Sequence, residues 1–212
     1  MIAALLLLLA PADDAVTITG YRWAPFISPM GEPFLAKSVG EDTLATWFGQ
    51  ADADRDGRLT EAELRADAAR FFAALDQDET GALEPDDIVY YETAIAPDVQ
   101  VGKKRRPRPG ETLPKSRPSR DGLQGAARYA LLNLPQPVAA ADTDFNRLVT
   151  KAEFDAAAVT RYRLLDPQTS GGVTLVELQT QLAAARSTKN SKRKAKDARD
   201  QRVANPFPVP TN

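Results

Sequence analysis

The 212-residue chain contains no cysteine and no histidine. That inventory excludes disulfide frameworks, zinc sites built on these two residues, and catalysis by either side chain. Aromatic residues make up only 7% of the chain, although the hydrophobic share is 43%. Alternating runs of β-branched residues, which are typical of strands, are also missing. The sequence therefore predicts an all-α fold with a modest core.

Acidic and basic residues are strongly segregated behind a net charge of −2. Residues 101–120 contain eight Lys/Arg and one acid, and residues 186–202 contain eight Lys/Arg and two acids. The rest of the chain has 26 acidic and 11 basic residues. Residues 101–120 are also rich in proline and are predicted to be a basic linker, while residues 187–212 are predicted to form a disordered basic tail.

The N-terminus carries an uninterrupted apolar run from Ile2 to Ala10, followed by Pro11 and Ala12 in the small-x-small form of a cleavage site. The run is too short to span a bilayer, so residues 1–12 are predicted to be a signal peptide. A buried N-terminal helix is the alternative. We expect a periplasmic or secreted protein without a transmembrane segment after cleavage.

An N-terminal arm is predicted over residues 13–40. It contains too many prolines for a helix and carries several aromatic residues, among them Tyr21, Trp23 and Phe26. We expect these aromatic residues to pack on the helical core. An exposed docking strip for a partner is the alternative.

Four twelve-residue segments carry oxygen-bearing side chains at positions 1, 3, 5 and 12. They are loop 1 (52–63), loop 2 (76–87), loop 3 (142–153) and loop 4 (166–177). Such side chains, together with the backbone carbonyl of position 7, can surround one hard cation. Glycine at position 6 permits the positive φ of a sharp turn in loops 1, 2 and 4. The pattern predicts four metal-binding loops.

Loop 1 is predicted to bind most strongly, because it offers four carboxylates. Its ligands are Asp52, Asp54, Asp56, the carbonyl of Arg58, and Glu63. Thr60 and Glu63 also form a capping box for the following helix.

Loop 2 departs from this pattern at two positions. Its predicted ligands are Asp76, Asp78, Thr80, the carbonyl of Ala82, and Asp87. Thr80 replaces an acid or amide at position 5. Asp87 is one methylene shorter than glutamate, which favours a smaller, magnesium-like shell in this loop.

Loops 3 and 4 each depart from the pattern in their own way. The predicted ligands of loop 3 are Asp142, Asp144, Asn146, the carbonyl of Leu148, and Glu153. Arg147 stands at its glycine position, where left-handed backbone costs on the order of 1–2 kcal/mol. The predicted ligands of loop 4 are Asp166, Gln168, Ser170, the carbonyl of Gly172, and Glu177. With two charged ligands, loop 4 is predicted to be the weakest, after loops 2 and 3, and a purely structural loop is the alternative.

These loops resemble those of the EF-hand family, and the chain is similar to an exported bacterial protein with four EF-hand motifs. The resemblance covers about residues 41–95 and 134–185. It implies helix–loop–helix units arranged as two pairs, one within 41–100 and one within 121–186, and it implies calcium as the bound ion.

Apolar residues recur at the same offsets before loops 1 and 2, which predicts a helix preceding each loop. They are Leu44, Trp47, Phe48 and Ala51 before loop 1, and Ala68, Phe71, Phe72 and Leu75 before loop 2. The first of these helices is predicted over 41–50. Farther along, a helix is predicted over 121–133 and a short one over 137–141.

The loop spacing restricts how the loops can pair. Consecutive loops in each half begin 24 residues apart, which leaves 12 residues between Glu63 and Asp76. One shared helix fills such an interval and holds the two loops roughly 18 Å apart. We therefore expect each loop to pair with a loop from the other half of the chain.

The leading function is calcium binding in which the metal mainly stabilises the fold. One alternative is a calcium-dependent adaptor whose apolar groove, lined by Phe71, Phe72, Tyr90 and Tyr91, takes a protein partner. Another is binding to an anionic surface through the basic segments, with nucleic acid the least favoured target. No side chain stands in a recognisable nucleophile context, so an enzyme is not expected.

Overall fold

The computed structural model describes residues 25–99 and 123–184. The predicted signal peptide, the arm before residue 25, the basic linker and the basic tail lie outside these residues. Within the described part, no helix combines the length and apolarity that crossing a bilayer requires.

Five α-helices dominate the described residues. They are α1 (Thr43–Ala51), α2 (Glu61–Leu75), α3 (Pro85–Tyr90), α4 (Lys151–Leu165) and α5 (175–184). A π-helical turn (Tyr91–Ile95) follows α3, and short 3₁₀ turns cover Pro97–Val99, Gly125–Arg128 and Ala139–Ala141.

Six two-residue strands form three antiparallel ladders. The strands are β1 (Phe26–Ile27), β2 (Pro33–Phe34), β3 (Arg58–Leu59), β4 (Ala82–Leu83), β5 (Val149–Thr150) and β6 (Val173–Thr174). β1 pairs with β2, β3 with β6, and β4 with β5. The fold is therefore mixed, and the all-α prediction is confirmed only for its helical majority.

The predicted apolar stripes are buried where they were expected. All eight residues at the shared offsets before loops 1 and 2 are at most 6% exposed. The same offsets before loop 4 hold Ala158, Arg161, Tyr162 and Leu165, which are also buried. The capping box predicted at Thr60 is present at the start of α2, and Thr150 forms the same box at the start of α4.

The helix predicted over 121–133 is wrong. The described part of this segment contains the 3₁₀ turn Gly125–Arg128 and an isolated β-bridge from Ala130 to Ile27, with no α-helix. Gly125 has φ of 52°, in the left-handed region, and the N–H of Ala126 donates to the carbonyl of Pro135 at 2.9 Å. A left-handed residue with its neighbour bonded to a distant carbonyl cannot lie inside an α-helix. The predicted helix over 137–141 shortens to the 3₁₀ turn Ala139–Ala141.

The loops pair across the two halves of the molecule, residues 25–99 and 123–184. Ladder β3–β6 joins loop 1 to loop 4, with Leu59 opposite Val173. Ladder β4–β5 joins loop 2 to loop 3, with Leu83 opposite Val149. The expectation of pairing between halves is thus confirmed. The two pairs each combine both halves, which corrects the assignment of one pair to 41–100 and the other to 121–186.

Helices α2 and α4 form the centre of the shared core. Ladder β3–β6 places the start of α2 beside the end of α4, and ladder β4–β5 places the end of α2 beside the start of α4. The two helices therefore run in opposite directions. The rings of Phe72 and Phe154 lie 5.6 Å apart between them. Arg65 makes two 2.8 Å bonds to the carboxylate of Asp155 across the same contact.

The N-terminal arm packs on this core from residue 25 onward. The ring of Phe26 lies 5.6 Å from that of Trp47, and Ile27 and Met30 are fully buried. This confirms packing of the arm over its described residues, while Tyr21 and Trp23 lie outside them.

Two buried side chains, one from α4 and one from the π-helical turn, bond the backbone of the arm. Arg161, 4% exposed, donates to the carbonyls of Pro29 at 3.0 Å and Pro137 at 2.7 Å. The hydroxyl of Tyr91 donates to the carbonyl of Gly31 at 2.7 Å. Burial lowers the pKa of Arg161 to about 10, so the guanidinium stays charged at neutral pH. Arg161 therefore bonds both the arm and the segment that leads into loop 3 to α4.

Because every loop pairs across the halves, neither half should fold alone. We expect separate fragments 25–99 and 123–184 to unfold without cooperativity, since each exposes two unpaired strands and one face of α2 or α4. An equimolar mixture should recover a cooperative thermal transition measured by circular dichroism. A cooperative, monomeric transition of fragment 25–99 alone would contradict this architecture.

Candidate metal centre

All four loops share one backbone conformation despite their different side chains. Positions 4 and 6 lie in the left-handed region in every loop, with φ of 53° to 60° at position 4 and 73° to 82° at position 6. Arg147 at position 6 of loop 3 has φ of 73°, as its place in the pattern predicts. Position 4 holds a non-glycine residue in each loop, so nothing in the sequence marks this second left-handed residue.

The aspartate at position 1 organises each loop through one hydrogen bond. Its Oδ2 atom accepts the backbone N–H of position 6 at 2.9 to 3.0 Å in all four loops. This bond holds the turn closed around the centre of the loop. The loops differ in the partner of the other carboxylate oxygen, Oδ1.

In loops 1 and 3 this second oxygen has no hydrogen-bond partner. The N–H of position 5 donates to the position-3 aspartate, Asp54 or Asp144, at 3.1 Å in both loops. The Oδ1 atoms of Asp52 and Asp142 are left buried and unpaired. Asp52 as a whole is 6% exposed. A buried carboxylate oxygen without a donor carries a desolvation penalty that a bound cation would remove.

The glutamate at position 12 folds back over the start of loops 1 and 3. One oxygen of Glu63 accepts the N–H of Ala53 at 3.0 Å, and one oxygen of Glu153 accepts the N–H of Thr143 at 3.0 Å. The other oxygen of each glutamate accepts the N–H of the threonine at position 9, which completes the capping box. Position 12 is thereby fixed beside positions 1 and 3.

Three carboxylates converge in each of these two loops. In each loop, one carboxylate oxygen from each of positions 1, 3 and 12 lies within 4.8 Å of the other two. The residues are Asp52, Asp54 and Glu63 in loop 1, and Asp142, Asp144 and Glu153 in loop 3. The remaining predicted ligands of these loops, Asp56, Asn146 and the carbonyls of Arg58 and Leu148, belong to the same turns. Residues 25–99 and 123–184 contain no third acidic group of this kind.

Backbone donors keep the closing glutamates ionised. Hydrogen bonds from Thr150 and Thr143 lower the pKa of Glu153 to about 2. Burial acts to raise the pKa of Glu63, but hydrogen bonds from Thr60 and from the start of loop 1 outweigh it, and the pKa is lowered. Both side chains are therefore anionic ligands at neutral pH.

In loops 2 and 4 a hydroxyl occupies the centre of the loop. The Thr80 hydroxyl lies 3.4 Å from Oδ1 of Asp76 and 2.9 Å from the carbonyl of Ala82. The Ser170 hydroxyl lies 3.1 Å from Oδ1 of Asp166 and 3.0 Å from the carbonyl of Gly172. The backbone N–H of position 5 also donates to Oδ1 in both loops. Their position-1 carboxylates are thus fully partnered by the protein.

Loops 2 and 4 also lack the closure by position 12. The carboxylate of Asp87 accepts the N–H of Glu84 at 2.9 Å, and its side chain is one methylene shorter than that of glutamate. Glu177 bonds Thr174, but position 2 of loop 4 is Pro167, which has no N–H to offer. The predicted ligand Asp78 at position 3 of loop 2 joins no group of three acids. Loop 4 has only two carboxylates among its predicted ligands, because position 3 is the neutral Gln168.

The structure therefore separates loops 1 and 3 from loops 2 and 4, whereas the sequence ranking places loops 2 and 3 together. The distinguishing residues are Pro167 at position 2 of loop 4, Asp87 at position 12 of loop 2, and the hydroxyl side chains at position 5 of both loops, where loops 1 and 3 have an acid or an amide.

No protein-family model, curated protein or solved structure matches the chain.

Strain at Arg147 is measurable. Arg147→Gly should raise the free energy of unfolding of the metal-free protein by about 0.5–1 kcal/mol, because relief of left-handed strain exceeds the extra backbone entropy of glycine in the unfolded chain. Arg147→Gln is the matched control, since it removes the charge and keeps the strain. Urea denaturation compares the three proteins, and equal stability of the glycine and glutamine variants would show that position 6 is unstrained.

Proposed function

We propose that the protein binds calcium through EF-hand units, with one ion in loop 1 and one in loop 3. The observation that carries the proposal is the unpaired Oδ1 atom of Asp52, in a side chain that is 6% exposed and within 4.8 Å of two further carboxylates. Like charges held this close repel one another unless a cation lies between them.

The ligand chemistry favours a hard divalent cation. Loops 1 and 3 offer oxygen atoms only, and calcium takes six to eight of them at about 2.3–2.6 Å in flexible geometry. Loop 1 has a fourth carboxylate at Asp56, and loop 3 has the neutral Asn146 at the same position. We expect loop 1 to bind more tightly, because affinity rises with ligand charge. Magnesium binding at loop 2 stays a prediction.

A metal in these loops would stabilise the whole fold. Each loop connects a helix to the ladder that joins the two halves, so an ion that holds the loop closed supports the interface between halves. An ion that binds the folded protein alone adds about 2.7 kcal/mol per site at a free concentration a hundredfold above its Kd. Export through the predicted signal peptide would place the protein where calcium is plentiful.

The adaptor alternative has less support. Three of the four residues expected to line its groove, Phe71, Phe72 and Tyr91, are at most 3% exposed and belong to the core. Tyr90 is 40% exposed. The basic segments proposed to bind an anionic surface lie outside the described residues.

Calorimetric titration of the full chain with calcium tests the proposal directly. We expect two ions per chain and a higher melting temperature in calcium than in EDTA. Absence of calcium uptake at millimolar concentration, with an unchanged melting temperature, would refute it.

Neutralising one carboxylate at a time should distinguish metal ligands from neighbouring acids that do not bind the ion. Glu63→Gln and Glu153→Gln should each weaken one site by about tenfold or more, because an anionic ligand becomes neutral. Glu61→Gln is the matched control, since it removes the same charge from α2 two residues before Glu63. The measurement is calcium affinity by calorimetry, and equal effects at positions 61 and 63 would contradict the assignment.

A further inference from the structure

Arg58 of loop 1 reaches into loop 4. It lies in β3 opposite Thr174 of β6, and its Nη2 atom donates to the carbonyl of Gly172 at 2.5 Å. Gly172 is position 7 of loop 4, so this carbonyl is the backbone oxygen predicted to bind a metal there. The guanidinium thus donates a hydrogen bond to the carbonyl that is a predicted metal ligand of the neighbouring loop.

The fit between Arg58 and Gly172 depends on the absence of a side chain at position 172. A Cβ at this residue would lie 2.8 Å from Nε and 3.1 Å from Cβ of Arg58. No left-handed φ requires glycine here, since the positive φ of this turn belongs to Gly171. Close approach of the arginine is therefore the requirement that glycine meets at position 172.

The acids of loop 4 also have donors within the protein. The N–H and the hydroxyl of Thr174 both donate to the carboxylate of Glu177 at 2.8 Å. The Ser170 hydroxyl lies between Asp166 and the same Gly172 carbonyl, at 3.1 and 3.0 Å. Loop 4 therefore has protein-supplied partners for its position-1 carboxylate, its position-7 carbonyl and its position-12 carboxylate.

The other pair of loops has no equivalent arginine. Leu148 stands at position 7 of loop 3, the position that Arg58 holds in loop 1. Its side chain has no donor that could bond a carbonyl of loop 2. In loop 2 the carbonyl of Ala82 is bonded by the Thr80 hydroxyl. The guanidinium is thus specific to the pair formed by loops 1 and 4.

We infer that the guanidinium of Arg58 is the resident cation of loop 4 and excludes a metal ion from it. Arg58 is then a specificity-determining residue: its carbonyl belongs to the metal site of loop 1, and its side chain closes loop 4. The inference rests on the proposed function for the ions in loops 1 and 3. The Arg58–Gly172 contact is independent of any metal.

Calcium titration followed by ¹H–¹⁵N NMR tests the inference loop by loop, through the position-6 amides of Gly57, Arg147 and Gly171. In the full-length wild-type chain, the Gly171 amide should shift only in step with that of Gly57, its partner across β3–β6. In the double variant Arg58→Ala, Ser170→Asp, the Gly171 amide should gain a saturable shift of its own below 10 mM calcium. This concentration is about ten times the Kd of the weakest extracellular calcium modules.

The matched control is Arg55→Ala, Ser170→Asp. It removes an exposed arginine from the same loop and keeps Arg58, so Gly171 should show no separate shift. A separate shift of Gly171 in the wild type or in this control would overturn the inference. The inference would also be overturned if Gly171 showed no separate shift in the Arg58 double variant while the Gly57 amide still responded to calcium. If neither Gly57 nor Arg147 responds in the wild type, the proposed function fails, and the inference is then decided without metal.

The test without metal is a double-mutant cycle between Arg58 and Gly172. Gly172→Ala should lower the melting temperature in EDTA when Arg58 is present and lower it less when Arg58 is alanine, because the clash with Nε is gone. Equal losses in the two backgrounds would mean that the arginine does not occupy loop 4.

Discussion

A single shared helix in each half keeps the two loops at its ends from meeting. In the first half this helix is α2, which covers all 12 residues between Glu63 and Asp76. A loop strand with no partner in its own half exposes backbone donors and acceptors, and the other half supplies the missing partner. Ladders β3–β6 and β4–β5, the antiparallel contact of α2 with α4, and the single core all follow from that restriction.

Because the loops pair across the halves, each pair contains one loop whose position-1 aspartate has an unpaired oxygen and one loop in which that oxygen accepts a hydrogen bond. Loops 1 and 3 leave a position-1 carboxylate oxygen unpaired. In their partners, loops 4 and 2, the backbone N–H of position 5 donates to the same oxygen. All four turns have the same backbone, so the difference is chemical and lies in a few side chains. The arrangement supports binding of two ions, with each closed loop serving as a rigid partner for an open one.

Much of the architecture could be predicted from apolar spacing. The stripes before loops 1 and 2 identified core residues, and the 24-residue interval predicted pairing between halves. The helix over 121–133 failed, because a left-handed Gly125 and the distant carbonyl of Pro135 cannot be anticipated from helical periodicity. The difference in geometry between loops 2 and 3 does not follow from ligand identity, because it depends on which backbone N–H each position-12 carboxylate accepts. The reach of Arg58 across β3–β6 depends on strand pairing that only the folded chain reveals.

We propose that two of the four similar loops hold divalent ions. Crystals of the full chain grown with calcium, measured for anomalous scattering at a long wavelength, test it most directly. We predict peaks between Asp52 and Glu63 and between Asp142 and Glu153, with none in loops 2 and 4. Empty density in loops 1 and 3 at millimolar calcium, or ions of equal occupancy in all four loops, would contradict the account.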